Sequence, residues 1–302
     1  KLARELLVSL TEDTEERKII KQELTREVNK DWLKALGIKN LENLSAIADF
    51  SATVKEINAR ELFKKDDNLY TYNANDFLSL LKYNLKNGKT EKMPITADSA
   101  PKIAQFVGSL EQKLIFYSQE GKNLAALNLE DNKISILDWG KTEALASPAD
   151  FAIYQDKLYI LDTSAKQIFK YQKTISGFAS ESKWLVAASD LSNVASFAID
   201  GNIWVLNKNG EILKFFKGKT ESFSYAIEPK LEAPIRIYTQ ADALYLYILD
   251  PVTRRIAVLN KTGALIAQFT SDSFGDLRDL AVDEIAKKIY VLNGEKVYEV
   301  GF

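Results

Sequence analysis

"YILDPVTRRIAVLNKTGALIAQF", residues 247–269, decides how the rest of the chain is read. It divides into an apolar stretch ending at Asp250, a short charged connection, a second apolar stretch from Arg255 to Asn260, a turn centred on Gly263 and a third apolar stretch. Short apolar runs separated by polar and glycine punctuation are the pattern of antiparallel strands. Asp250, Thr253, Arg254, Arg255 and Asn260 crowd together here. Such a cluster is either a site or the turn chemistry of a repeated unit, and a search for repeats separates the two.

The pattern is a repeat. A large apolar residue, any residue, Leu or an aromatic, and then Asp, Asn or Ser occurs six times, starting at Tyr70, Ile115, Tyr159, Trp204, Tyr247 and Tyr290. Successive copies lie 45, 44, 45, 43 and 43 residues apart. Another short strand precedes each copy, as in "DFAIYQD" from 150 and "SFAIDG" from 196, and a third usually follows, as in "QIFKYQ" from 167 and "EILKFF" from 211. Three or four antiparallel strands at that interval are the arithmetic of β-propeller blades. A lone meander leaves an apolar face bare, and stacking neighbouring blades covers it. The recurring Tyr70, Tyr159, Trp204, Tyr247 and Tyr290 therefore read as packing between blades and not as a stacking platform.

The expected architecture is all-β, a six-bladed β-propeller over residues 45–302, preceded by a short N-terminal α-helical segment over 1–44. The last copy ends at Phe302 directly after its third strand, so "DFSATVKEI", residues 49–57, is expected to supply the strand that closes the last blade. Residues 1–44 contain no Pro and one Gly, Gly37, and Ile20, Leu24 and Val28 recur every fourth residue. Asp13 with Glu16 reads as a helix cap and Gly37 as its stop. The stripe is expected to pack on the propeller, the alternative being a stalk or partner helix. Because the chain opens inside a helical pattern and holds one Met, Met93, it reads as the soluble part of a larger protein. Its compartment is open, with the extracytoplasmic side of a membrane slightly favoured and an upstream tether one way of placing it there.

Composition limits the chemistry. With 302 residues, 46% hydrophobic and 11% aromatic, the chain can fill a substantial core. Forty basic residues against 42 acidic ones give no global field for nucleic acid or an anionic surface. There is no Cys and no His. Thiolate nucleophiles, disulfides, zinc fingers and every mechanism that needs imidazole are excluded. Carboxylate or lysine chemistry, a hard oxygen-ligated cation, or binding without catalysis is what remains.

Asp250 followed five residues later by Arg255-Ile256, and then by a Gly-containing turn before "LIAQF", resembles the NHL-repeat pattern. Asp162 with Gln167-Ile168 and Asn207 with Glu211-Ile212 echo it, and the resemblance is sharpest over 247–302. The wider class comprises six-bladed propellers similar to NHL, TolB-like and gluconolactonase-type proteins. It implies a non-catalytic binding or scaffold domain that recognises a protein or a small polar ligand through loops at one face of the ring. Gluconolactonase-type relatives imply an alternative, a calcium-dependent hydrolase acting at the central channel. Their metal-binding motif does not match this sequence residue by residue, so no catalytic or metal-binding residue is assigned.

Aligning the innermost strands places one residue per blade at the channel mouth: Arg60, Gln105, Asp150, Ser196, Arg236 and Asp279. They are expected to bind a small polar ligand, or to hold calcium through Asp150 and Asp279, although calcium takes six to eight oxygens. Pairing of the Arg and Asp side chains across the channel is the competing, purely structural expectation. "KNGKTEK" at 86–92 and "KGKTE" at 217–221 are interleaved with acids and sit in turns, so nucleic acid is not expected as a partner.

Overall fold

The structure is a computed structural model and describes residues 2–96, 102–118, 122–140 and 147–302. Among these residues the strands form six successive antiparallel meanders, spanning 59–92, 103–139, 148–183, 194–221, 236–270 and 277–301. The first strand of each meander, beginning at Ala59, Ile103, Pro148, Val194, Arg236 and Leu277, touches the first strand of the next, and the sixth touches the first. That closed circle of inner strands makes the chain an all-β propeller with a channel down its axis.

The core lies between meanders. Tyr247, Leu249 and Val258 of the fifth pack with Leu280, Val282 and Val291 of the sixth. Tyr72 and Phe63 of the first pack with Phe116 and Leu127 of the second. Tyr70, Tyr159, Trp204, Tyr247 and Tyr290 are all buried. Each meander is thus apolar on both faces, and only its neighbours shield it from water.

The circle is sealed by hydrogen bonds from the N-terminal side. Ala46–Asp49 runs antiparallel to Lys296–Gly301, with Ala46 opposite Tyr298 and Asp49 opposite Lys296. The closing strand therefore lies just upstream of 49–57. At Asp49 the chain leaves the ladder because its carboxylate accepts from Ser51 N at 3.0 Å and starts a 3-10 turn over Phe50–Ala52. A second strand, Ile38–Asn40, pairs in parallel with Leu265–Thr270 at the outer edge of the fifth meander. Part of the segment assigned to the helical lead-in is thus propeller edge.

Two helices precede it, α1 (Leu2–Ser9) and α2 (Glu15–Ala35). The cap of α2 is Thr14, whose hydroxyl accepts from Arg17 N at 3.2 Å, while Asp13 pairs with the Arg17 guanidinium at 2.7 Å. Gly37 follows the helix with φ +67°. The expected packing of the α2 stripe on the propeller is not seen: α2 buries none of its residues, and Ile20 and Leu24 stay exposed. The helix is held at its C-terminal end, where Gln268 Nε2 donates to Leu36 O at 3.0 Å. Among the described residues no helix is long and apolar enough to cross a membrane.

The polar residues of 247–269 serve this frame. Asp250 accepts from Glu232 N at 2.8 Å, tying the end of a second strand to the loop before its own inner strand. Asn73, Asp162 and Asn293 do the same toward Asn58, Ser147 and Asp276. Arg255 is buried and donates to Pro229 O, Lys230 O and Gln268 Oε1 at 2.7–2.9 Å. Asn260 Oδ1 accepts from Thr262 N and Ala264 N and so shapes the turn around Gly263.

Gly263 has φ +93°, and a Cβ there would stand 2.0 Å from Ser224 O in the connection that follows the fourth meander. Gly263→Ala is therefore expected to lower stability by at least about 2 kcal/mol, through left-handed backbone strain plus the clash with that carbonyl. Urea unfolding checks this, and an unchanged midpoint would show that the neighbouring loop moves aside at little cost.

Candidate functional site

Five of the six inner strands carry a β-bulge where they enter the channel, the exception being Arg236–Tyr238. The register shifts between Ile103 and Gln105, Pro148 and Asp150, Val194 and Ser196, and Leu277 and Asp279. A bulge adds one residue and re-aims the side chains around it. In these four strands the residue after the bulge points across to the next meander, and the bulged Ala104 and Arg278 are left at the mouth.

The inward residues form a ring of hydrogen bonds. Gln105 Nε2 donates to Asp150 Oδ1, and Phe197 N donates to Asp150 Oδ2 at 2.8 Å. Ile237 N donates to Ser196 Oγ at 2.8 Å, and Leu62 N donates to Asp279 Oδ2 at 2.8 Å. Arg236 Nε lies 3.0 Å from Asp279 Oδ1, an ion pair by distance, although the N–H is not aligned for a hydrogen bond. The remaining place is taken by Glu61, whose Oε2 accepts from Phe106 N. Asp150, Ser196 and Asp279 are buried, whereas Glu61, Gln105 and Arg236 keep an edge on the channel.

Of the six residues aligned at the mouth, Gln105, Asp150, Ser196, Arg236 and Asp279 lie in this ring. Arg60 does not. In the first inner strand Arg60 stays in the ladder opposite Tyr72 and is exposed, the register shift falls on Glu61 and Leu62 before Phe63, and Glu61 turns inward with φ +45°. The signal that finds Glu61 is the residue after it. Phe106, Phe151, Phe197, Ile237 and Leu280 follow the other ring positions, and Leu62 follows Glu61.

The ring holds three carboxyls and one guanidinium. Burial pushes Glu61 up to about 8, with the pull of Arg236 opposing and the charge of Asp279 adding to the rise. Burial also raises Asp150 and Asp279 against the attraction of Arg236. Burial disfavours the charge on Arg236, but Asp279, Asp150 and Glu61 outweigh it and hold the guanidinium protonated.

The calcium expectation finds no donor set here. Both Asp150 oxygens and Asp279 Oδ2 already accept N–H bonds, and Asp279 Oδ1 faces Arg236. Among the described residues no three acidic side chains converge as metal ligands do.

Above the ring, on the side where the inner strands begin, the channel widens into a cavity of about 1040 Å³. Its walls include Tyr72, Ile103, Tyr117, Pro148, Ile235 and Pro251, with Arg60, Lys122, Asp276 and Arg278 among its charged residues and Glu61 at its floor. At the other end the channel narrows to about 320 Å³ between strand residues such as Phe106, Phe151 and Phe197. The wide mouth is the size of a small-molecule site.

No protein-family model matches the chain, and no curated protein matches it. Solved structures do. A gluconolactonase from Xanthomonas campestris is 11% identical, with a TM-score of 0.60 over 84% of this chain and 87% of the other. A calcium-binding regucalcin from Agrobacterium tumefaciens is 11% identical, with a TM-score of 0.57 over 88% and 95%. Virginiamycin B lyase from Staphylococcus aureus is 13% identical, with a TM-score of 0.51 over 84% and 87%. At these identities the likeness is one of architecture: the chain shares the β-propeller fold of these proteins.

Proposed function

We propose that the chain is a six-bladed binding propeller, similar to the NHL and gluconolactonase-type class, that recognises a partner or a small polar ligand at the wide mouth of its channel and performs no covalent chemistry of its own. What carries the reading is the separation of ring from mouth. Asp150, Ser196, Gln105 and Glu61 are taken up by hydrogen bonds within the ring or with backbone amides of the next meander, Asp279 accepts from Leu62 N, and Arg236 is held by its ion pair with Asp279. The roomy cavity above them presents polar and apolar side chains from several meanders on a frame that the ring makes rigid.

Mapping a chemically mixed fragment library onto the amide resonances of the protein tests this. Fragments are expected to collect at the wide mouth, around Tyr117, Ile235 and Pro251. Hits that gather on another surface and leave the mouth empty would overturn the reading.

A further inference from the structure

The residues beside the ring positions set the character of the mouth. Arg60, Ala104 and Arg278 are among the inner-strand residues that line it, and two of these three are cationic. The two arginines belong to neighbouring meanders, and Arg278 Nη1 reaches across to Ala59 O at 2.8 Å, beside Arg60. One side of the mouth is therefore built from arginine.

The charges on that side do not balance. Arg278 is paired with Asp276 at 2.6 Å and with Glu295 at 3.1 Å, which closes that set. Arg60 is exposed and has no ion-pair partner among the described residues, and neither has Lys122, which lines the same cavity. Glu61, the acid nearest in sequence, lies at the floor, and its raised proton affinity keeps it from neutralising them at pH 7. Tyr72 and Tyr117 supply broad apolar walls, and the Tyr72 hydroxyl is already spent on Ala104 O at 2.9 Å.

From this arrangement we infer that the mouth binds a small organic anion, a carboxylate or phosphate ester on a compact apolar body, with Arg60 as its principal anchor and Lys122 in support. A guanidinium offers a planar fork of donors that matches either oxyanion, and the aromatic walls take the body. The cavity volume suits a free small molecule. This deepens the binding-propeller reading and rests on it.

The test uses the full chain and two probe pairs, phenyl phosphate and benzoate against the neutral isosteres benzyl alcohol and benzamide, titrated while mouth resonances are followed. The anions are expected to bind at least about tenfold more tightly than their neutral counterparts, the worth of one charge-assisted hydrogen bond. Arg60→Gln should weaken phenyl phosphate by about tenfold with an unchanged melting temperature in the absence of probe, and Arg60→Lys should restore part of the loss. Equal binding of anions and neutral isosteres at the mouth, or an Arg60→Gln protein with full affinity, overturns this inference and leaves the binding propeller standing. If neither probe type nor any library fragment binds at the mouth, both fall together.

Discussion

Replacing Arg236 by methionine is expected to cost about 3–5 kcal/mol at pH 8, the usual result of stranding buried carboxylates without their cation. The size of the effect follows from the ring's composition. Glu61, Asp150 and Asp279 face one guanidinium, and Arg236 Nε stands 3.0 Å from Asp279 Oδ1. Methionine keeps much of the side-chain volume, so a cavity is not the cause. The sign of the pH dependence identifies the cause. Burial already raises Asp150 and Asp279, and removing the cation raises them further. A raised carboxyl contributes stability that is complete at low pH and is lost as pH climbs through its folded value. The Arg236→Met protein should therefore recover toward the parent as pH falls from 8 to 5. Urea unfolding at several pH values measures this, and a variant within about 1 kcal/mol of the parent at pH 8 would show that the ring carries no uncompensated charge.

The same ring explains how far the sequence can be read. The repeat from Tyr70 to Tyr290 was visible because each second strand must be apolar on both faces and ends in a polar residue, which at Asn73, Asp162, Asp250 and Asn293 accepts a backbone N–H. Those two demands act within a few residues of chain, and local demands leave local patterns. Asp250 and Arg255 looked like a site until the copies at Asp162 and Asn207 gave them a structural role. The ring positions were legible for the same reason, since a polar residue followed by a large apolar one recurs at the start of each inner strand. Arg60 was placed at the mouth and lines it, but the inward position of the first strand belongs to Glu61 and was missed, because Arg60-Glu61-Leu62 puts two charged residues where most other meanders have one polar residue before the large apolar one. Which of the two turns inward is decided by the ladder to the second strand, a long-range fact.

The closing strand and the helix were read less well, for a related reason. A strand at the edge of a sheet needs little alternation, so Ala46–Asp49 leaves only a faint signal, and the apolar Phe50, Val54 and Ile57 downstream of it gave a stronger one. Phe50 is buried, but in a 3-10 turn. The α2 stripe has helical period without a covering partner among the described residues, because the helix touches the propeller through its C-terminal end, at Leu36 and the parallel pair Ile38–Asn40. Periodicity reports that a helix has an apolar face and is silent on what meets it.

Glu61→Gln should do the opposite of Arg236→Met. Glutamine keeps the acceptor for Phe106 N and the size of the side chain, and it cannot ionise. In the parent, Glu61 titrates near 8 when folded, against an ordinary value of 4.5. Below pH 4.5 both folded and unfolded chains hold the proton, and Glu61 has no effect on the slope. Between 4.5 and 8 the unfolded chain has lost it and the folded chain has not, so stability falls as pH rises, and above 8 the full cost of the buried charge is present. That cost is on the order of 3–5 kcal/mol, reduced by whatever water the channel admits. The variant should match the parent at pH 5, lose less stability on the way to pH 9 and be the more stable protein there. Some decline should persist, because Asp150 and Asp279 are raised in the same direction. The variant keeps the left-handed backbone at position 61, so strain is equal on both sides of the comparison. Parallel pH profiles for parent and variant would place the titrating carboxyl elsewhere and remove the argument that Glu61 leaves the arginines of the mouth unneutralised at pH 7.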